Sequence, residues 1–332
     1  MACRPRIPVV ATAAVLACGA LTGCGSSNGS RGTGAPPPEP APTASVQAFP
    51  AAKGMTLADL QKTYAEGPIL APSVSLLEPG TDRVGFALFD RAQKQLRGAA
   101  VALYTGRADG TGVRGPFVAR AETLAVKPQF ISRQSAEDPD GAKGVYVAEV
   151  PFPKRGRAVV LALARLDGKI LSTAPVPMKV GTRGATPPGP GQKAILIHTL
   201  TGADVAGNLA KIDTRIPPAP DLHAVDFADV LGKKPVVLTF ATPQLCQSRV
   251  CGPVVDIVEQ VKAETGDGVA FIHQEIYRDN QLSKGVRPQV AAWHLASEPW
   301  TFAIDRHGVI SDRLEGAVSV GELERAVAKV RR

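Results

Sequence analysis

Residues 181–191, GTRGATPPGPG, separate two hydrophobic patterns that belong to different kinds of structure. Four glycines and three prolines in eleven residues deny this stretch a regular hydrogen-bond ladder of either kind. Upstream of it apolar residues alternate with polar ones. Downstream, unbroken apolar runs alternate with segments of helical spacing. The expected organisation is therefore two-domain, with residues 53–180 and 192–332 folding around separate cores and 181–191 as linker.

In the upstream region Thr56 is placed to cap a short helix, Leu57 to Ala65, closed by Gly67-Pro68. The segment Arg83 to Asp90 then sets Val84, Phe86 and Leu88 on one face, and Val101 with Leu103 does the same. Phe117–Leu124, Val145–Val150, Val159–Ala164 and Val176–Val180 continue the series, with Gly, Asp and Pro between them. Spaced strands of this kind predict a β-sandwich, and Pro175 and Pro177 put the last strand at an edge. The pattern resembles the Ig-like modules of exported bacterial proteins in architecture, without their Cys…Trp…Cys signature. The region holds no histidine, so spacing or docking is the role expected of it.

The N-terminus reads as an export signal. Arg4 and Arg6 precede an apolar run, Ile7–Ala20, that falls short of the roughly 20 residues a membrane span needs. Leu21-Thr22-Gly23-Cys24 resembles the bacterial lipobox. That resemblance implies cleavage of residues 1–23 as a lipoprotein signal peptide and thioether lipidation of Cys24. The chain is then expected at the cell membrane, lipid-anchored on the extracytoplasmic face, with membrane lipid as its first partner. Residues 24–52 form the lipidated cysteine and a Gly/Ser/Pro tether too poor in apolar groups to pack. Loss of residues 1–23, which carry two arginines and no acid, lowers the net charge from +8 to +6. No basic run or basic-aromatic interleaving accompanies this excess, which excludes a nucleic-acid partner. Cys246 and Cys251 are the cysteines left unmodified, in a compartment where disulfides persist.

Downstream of the linker, Ala194–His198 and Val236–Phe240 are predicted strands, and the second delivers a loop carrying Cys246. Val254, Ile257, Val258 and Val261 predict a helix ending at Gly266, followed by a strand over Val269–Ile276. A short helix around Gln289–His294, strands at Trp300–Ile304 and Val309–Leu314, and a helix capped by Ser319 with Glu322 complete the order. The residues PVVLTFATPQLC resemble the entrance to the cysteine loop of thioredoxins. EPWTFAIDRHGVI resembles the proline strand and hairpin of membrane-anchored thioredoxins, peroxiredoxins and Sco-type copper chaperones, and Gly316 fits the glycine before their last helix. The resemblance covers about residues 190–332 and implies an α/β thioredoxin-like fold in which Pro299 is a cis-proline facing the cysteines.

The two cysteines are five apart, Cys246-Gln-Ser-Arg-Val-Cys251. On one continuous helix they would be about 7.5 Å apart along the axis and on different sides, too far to bond. Either Cys246 lies in the loop before the helix, or the first turn must unwind. A helix N-terminus and Arg249 favour a thiolate, whereas Glu298 beside Pro299 opposes one. Thr239 stands where thioredoxins often bury an acid, and Trp300 either packs or lines the groove beside Pro299. The primary reading is a cofactor-free thiol–disulfide oxidoreductase, with Cys246 attacking and Cys251 resolving. Its partners would be exported protein thiols or a membrane electron donor.

One alternative is a non-catalytic scaffold in which the same bond is a structural disulfide contributing about 2–3 kcal/mol. Others are a peroxidase, whose usual Pro-x3-Thr-x2-Cys approach is absent, and a Sco-like copper chaperone. The latter would use Cys246, Cys251 and His273 as metal ligands, with His294 and His307 also available. The segment Asp213-Thr-Arg215-Ile-Pro-Pro218 reads as a polar turn without assigned chemistry. No phosphate loop or Ser/His/Asp spacing is present.

Overall fold

Thr56 accepts the Asp59 amide at 3.1 Å and Asp59 accepts the Thr56 amide at 2.8 Å, a reciprocal cap that starts α1 (Leu57–Thr63). The computed structural model describes residues 44–181 and 184–332, so Cys24 and the export segment lie outside the described residues. The described residues belong to one compact unit. Among the described residues no helix is long and apolar enough to cross a membrane.

After α1 come β1 (Ala65–Glu66), β2 (Ile69–Pro72), β3 (Gly80–Phe89), β4 (Gln95–Leu96), β5 (Ala100–Arg107) and β6 (Arg114–Thr123). An excursion containing α2 (Arg133–Glu137) leads to β7 (Gly144–Phe152), β8 (Gly156–Leu166), β9 (Lys169–Ser172) and β10 (Val176–Val180). These strands form one ten-stranded sheet, ordered β1-β9-β8-β5-β6-β7-β3-β2, with β10 on β8 and β4 on β3. The first part of β6 pairs with β5 (Ala119 opposite Val101), and from Arg120 onward it pairs with β7. That strand carries the sheet round a corner, so its two walls enclose Phe86, Leu103, Val150 and Ala162. The expected two-sheet Ig-like sandwich is thus not established: the strands are legible, but a continuous curled sheet joins them. β10, which carries Pro177, pairs along its length with β8 and makes one further bridge, Val180 to Leu77.

The C-terminal part contains α3 (Phe227–Val230), β11 (Val236–Ala241), α4 (Cys251–Thr265), β12 (Ala270–Glu275) and α5 (Pro288–Ala292). It ends with β13 (Trp300–Ile304), β14 (Ile310–Glu315) and α6 (Val320–Val330). The sheet order is β12-β11-β13-β14, with β11 parallel to β12 and both other pairings antiparallel. This is the topology of a thioredoxin-like core. Period-two alternation splits the strands between two faces: Val237, Phe271 and Ala303 meet α4 and α6, while Leu238, Phe240 and Phe302 meet Trp293. The expected strand at Ala194–His198 does not form. Lys193 makes one bridge to Val309, and the Ile195 carbonyl accepts the Trp293 indole N–H at 3.1 Å instead of a ladder partner.

Buried charges join the two sheets. The Glu315 carboxylate accepts the amides of Ser75 at 2.8 Å and Leu76 at 3.0 Å, with the Ser297 hydroxyl at 2.7 Å. Arg83 forks onto Glu322 with two 2.8 Å bonds and also donates to the Glu315 and Ala317 carbonyls. Gly316, at φ +75°, lets this junction close, since a Cβ there would lie 2.0 Å from the Ser73 carbonyl oxygen. Replacing Arg83 by methionine strands a buried carboxylate. The variant is expected to lose about 3–5 kcal/mol of unfolding free energy, measured by urea titration.

Candidate functional site

β11 is buried along its whole length and carries the chain to Ala241, after which the backbone turns twice before α4. The Leu245 amide donates to the Thr242 carbonyl at 3.2 Å and the Arg249 amide to the Cys246 carbonyl at 3.3 Å. Arg249 adopts the left-handed conformation, φ 55°, that reverses the chain. Cys251 is the first residue of α4, and Cys246 lies in the preceding turn rather than on the helix. Of the two geometries the spacing left open, the structure adopts the one that brings the sulfurs together.

Val250 at the helix N-cap provides no side-chain acceptor, so the first amides of α4 are available to another group. The Cys246 sulfur lies near enough to the Cys251 thiol and to the amides of Cys251 and Val250 for each to lower its pKa. Ser248 Oγ lies 3.2 Å from the same sulfur. Both cysteines are free thiols; Cys246 is half-buried and Cys251 is fully buried. The Cys251 S–H is the largest influence holding the Cys246 pKa down at about 6; burial opposes it, and Ser248 and the two amides assist it. On Cys251 burial is the largest influence and raises the pKa well above the ordinary thiol value, with the neighbouring Cys246 and Glu298 adding to the rise.

Pro299 is buried and its peptide bond to Glu298 is cis, as the resemblance implied. Its carbonyl accepts the Gly316 amide at 2.9 Å. Glu298 is half-buried; burial foremost, then the charges of Cys246 and Glu275, raises its carboxyl pKa. Trp300 does not line a groove: it is 2% exposed, its indole donates to Ser297 Oγ at 3.0 Å, and it stacks on Phe302. Thr239 is buried and shares a 3.2 Å hydroxyl–hydroxyl contact with Thr301.

Arg249 is exposed and turned away from the role expected of it. Its guanidinium lies 2.9 Å from Asp138 and 2.8 Å from Asp140, both on the β6–β7 excursion. That excursion also holds α4 directly: the Lys127 amide donates to Gln260 at 2.7 Å, and Ser132 donates through amide and hydroxyl to Asp256. Ser135, Asp138 and Gly141 thereby become one wall of a cleft of about 240 Å³ whose other wall includes Pro243, Cys246 and Arg249. The reactive sulfur opens onto a surface made by both parts of the fold.

His273 is not gathered with the sulfurs. It lies fully buried on β12, its Nδ1 3.5 Å from Asp213, while His294 and His307 are exposed. The first half of the polar turn at Asp213–Pro218 is interior, with Asp213 1% and Arg215 3% exposed, while Pro217 is exposed. Arg215 there is paired with Asp256 at 3.0 Å and also with Glu259.

No family model matches this chain, and no curated protein does. Among solved structures, a thioredoxin-family thiol:disulfide interchange protein from Chlorobium tepidum TLS is similar over 46% of this chain and 100% of its own, at 15% identity and a TM-score of 0.29. The thioredoxin-like character of residues 192–332 rests on the strand order and cysteine placement described above.

Alkylation of the reduced protein by iodoacetamide should therefore be unequal. Cys246 is expected to react as a thiolate with a midpoint near pH 6, losing reactivity as pH falls through that value, while Cys251 reacts only after denaturation. Cys251→Ala removes the S–H donor and should move the Cys246 midpoint upward, as followed by mass spectrometry across pH.

Proposed function

We propose that this chain is a lipid-anchored thiol–disulfide oxidoreductase acting on exported protein thiols at the extracytoplasmic face of a cell membrane. The observation that carries the proposal is the inequality of the two sulfurs: an accessible, acidic Cys246 beside a sealed, weakly acidic Cys251. A purely structural disulfide has no need for either property.

In the reducing direction the Cys246 thiolate attacks one sulfur of a substrate disulfide. The Cys246–substrate S–S bond forms, the substrate bond breaks, and its second sulfur leaves as a thiolate. Cys251 then attacks Cys246, giving up its proton to the departing substrate sulfur. With a proton from solvent on the first substrate thiolate, the products are a substrate dithiol and a Cys246–Cys251 disulfide. A membrane dithiol donor returns two electrons and two protons to that disulfide by the same exchange. Run backwards from the oxidised pair, the steps insert a disulfide into an exported dithiol. Glu298, kept protonation-competent by its burial and the nearby sulfur charge, stands close enough to the pair to influence Cys251.

In this reading the curled sheet is an Ig-like spacing and docking module, and its β6–β7 excursion supplies the far wall of the substrate cleft. The copper-chaperone alternative draws no support from His273, whose ring faces Asp213.

Trapping tests the reading. In membranes carrying the full chain, Cys251→Ser should accumulate dithiothreitol-sensitive adducts on Cys246, identifiable by mass spectrometry, and the further change Cys246→Ser should abolish them. An unadducted, fully alkylatable Cys246 in the Cys251→Ser protein would count against exchange. Separately, Cys24→Ser is expected to lose the acyl mass and to leave the membrane fraction; retention there would remove the anchor from the proposal.

A further inference from the structure

Three side chains from distant parts of the sequence meet in the interior of the C-terminal part. Asp213 comes from the turn before the core, His223 from the single-turn helix Pro220–His223, and His273 from β12. Their ligand atoms all lie within 4.8 Å of one another, and they are 1%, 2% and 1% exposed. The thiol chemistry uses none of them.

Their hydrogen bonding is incomplete in a specific way. His273 Nε2 lies 3.0 Å from the Ala241 carbonyl, an oxygen that can only accept, so the ring proton is on that nitrogen. Nδ1 faces Asp213 Oδ1, 3.5 Å away, without a hydrogen bond. His223 Nε2 faces the other Asp213 oxygen at 3.3 Å, and neither nitrogen of that ring is hydrogen-bonded. Three interior imidazole nitrogens thus lack a hydrogen bond, two of them facing Asp213, where buried polar atoms almost always have one.

A shared cation explains these spacings. Two ligands each about 2.0–2.1 Å from a tetrahedral ion are themselves about 3.3–3.4 Å apart; His223 Nε2 lies 3.3 Å from one Asp213 oxygen and His273 Nδ1 3.5 Å from the other, so an ion would sit between both carboxylate oxygens and the two rings. The surroundings have the form of a metal shell. His273 is oriented by a backbone carbonyl through its other nitrogen, and Asp213 is held by the amides of Arg215 at 2.8 Å and Ala219 at 2.9 Å. We infer that Asp213, His223 and His273 form a structural site for a divalent first-row metal ion, of which zinc best suits two imidazoles and one carboxylate. Burial of all three means that the ion is acquired during folding. It ties the Asp213 turn to β12 beneath Ala241, the residue from which the cysteine loop departs.

The test uses tag-free full-length protein carrying Cys246→Ser and Cys251→Ser, so that no thiolate binds metal. After refolding from urea with zinc sulfate and gel filtration, elemental analysis should find about one zinc per chain. The melting temperature should exceed that of protein refolded with chelator, and cobalt in place of zinc should show tetrahedral d–d bands. Adding Asp213→Asn or His223→Gln should abolish retention. If those variants fail to fold, the zinc content and melting shift of the parent decide the question alone. Absence of zinc after refolding in its presence, with an unchanged melting temperature, overturns the inference. So does a ¹⁵N spectrum of zinc-refolded protein with both ring nitrogens of His273 protonated, which marks a buried imidazolium–carboxylate pair instead.

Discussion

Within the cysteine motif, the Cys251 thiol is fully buried at the first position of α4, and its S–H is the largest influence lowering the pKa of Cys246. A buried thiol resists ionisation because its charge would have no water around it, and a protonated thiol is a donor. The proton kept on one sulfur thus favours the thiolate on the other. The helix start reinforces this division. Pro253 lies in the first turn, where its missing N–H costs no helical bond, and the first amides of α4 are left facing the Cys246 sulfur. The four-residue spacer therefore leaves the sulfurs near each other, because its residues are spent on the left-handed turn at Arg249 and not on helix.

The second constraint is the junction between the two sheets. Glu315 ends β14 and binds the chain before β3, while Arg83 on β3 binds Glu322, the same residue that completes the cap of α6. On the other side of α4, Ser132 and Arg215 converge on Asp256. Helix α4 is held by the curled sheet's excursion along one flank and by its own sheet along the other. The cleft at Cys246 consequently has fixed walls from both parts, and Arg249, with Asp138 and Asp140, serves as a clasp across it.

Much of this was legible in the residues. The apolar run Val236–Phe240, the helical spacing of Val254 to Val261, and the Ser319/Glu322 cap each encode a local element, and each formed within a residue or two of expectation. The cis bond before Pro299 was implied by resemblance and is present. What escaped the sequence was set by tertiary contact. Arg249 looked like a counter-charge for sulfur because its acidic partners lie more than a hundred positions earlier in the chain. The Asp213–Pro218 segment read as a polar turn without assigned chemistry because polarity, not location, is what composition reveals; its partners Asp256 and His273 lie far along the chain. The corner in β6 was hidden for a similar reason, since alternation specifies faces but not which neighbour a strand pairs with.

Whether the sulfur pair works as an exchange centre is tested most directly by its equilibrium reduction potential, taken from glutathione or dithiothreitol redox titration of the full chain with Cys246 and Cys251 intact. A potential between about −120 and −270 mV, the range of thiol–disulfide oxidoreductases, is the expected result. A potential below about −300 mV, where structural disulfides lie, would contradict exchange and leave the bond as a staple.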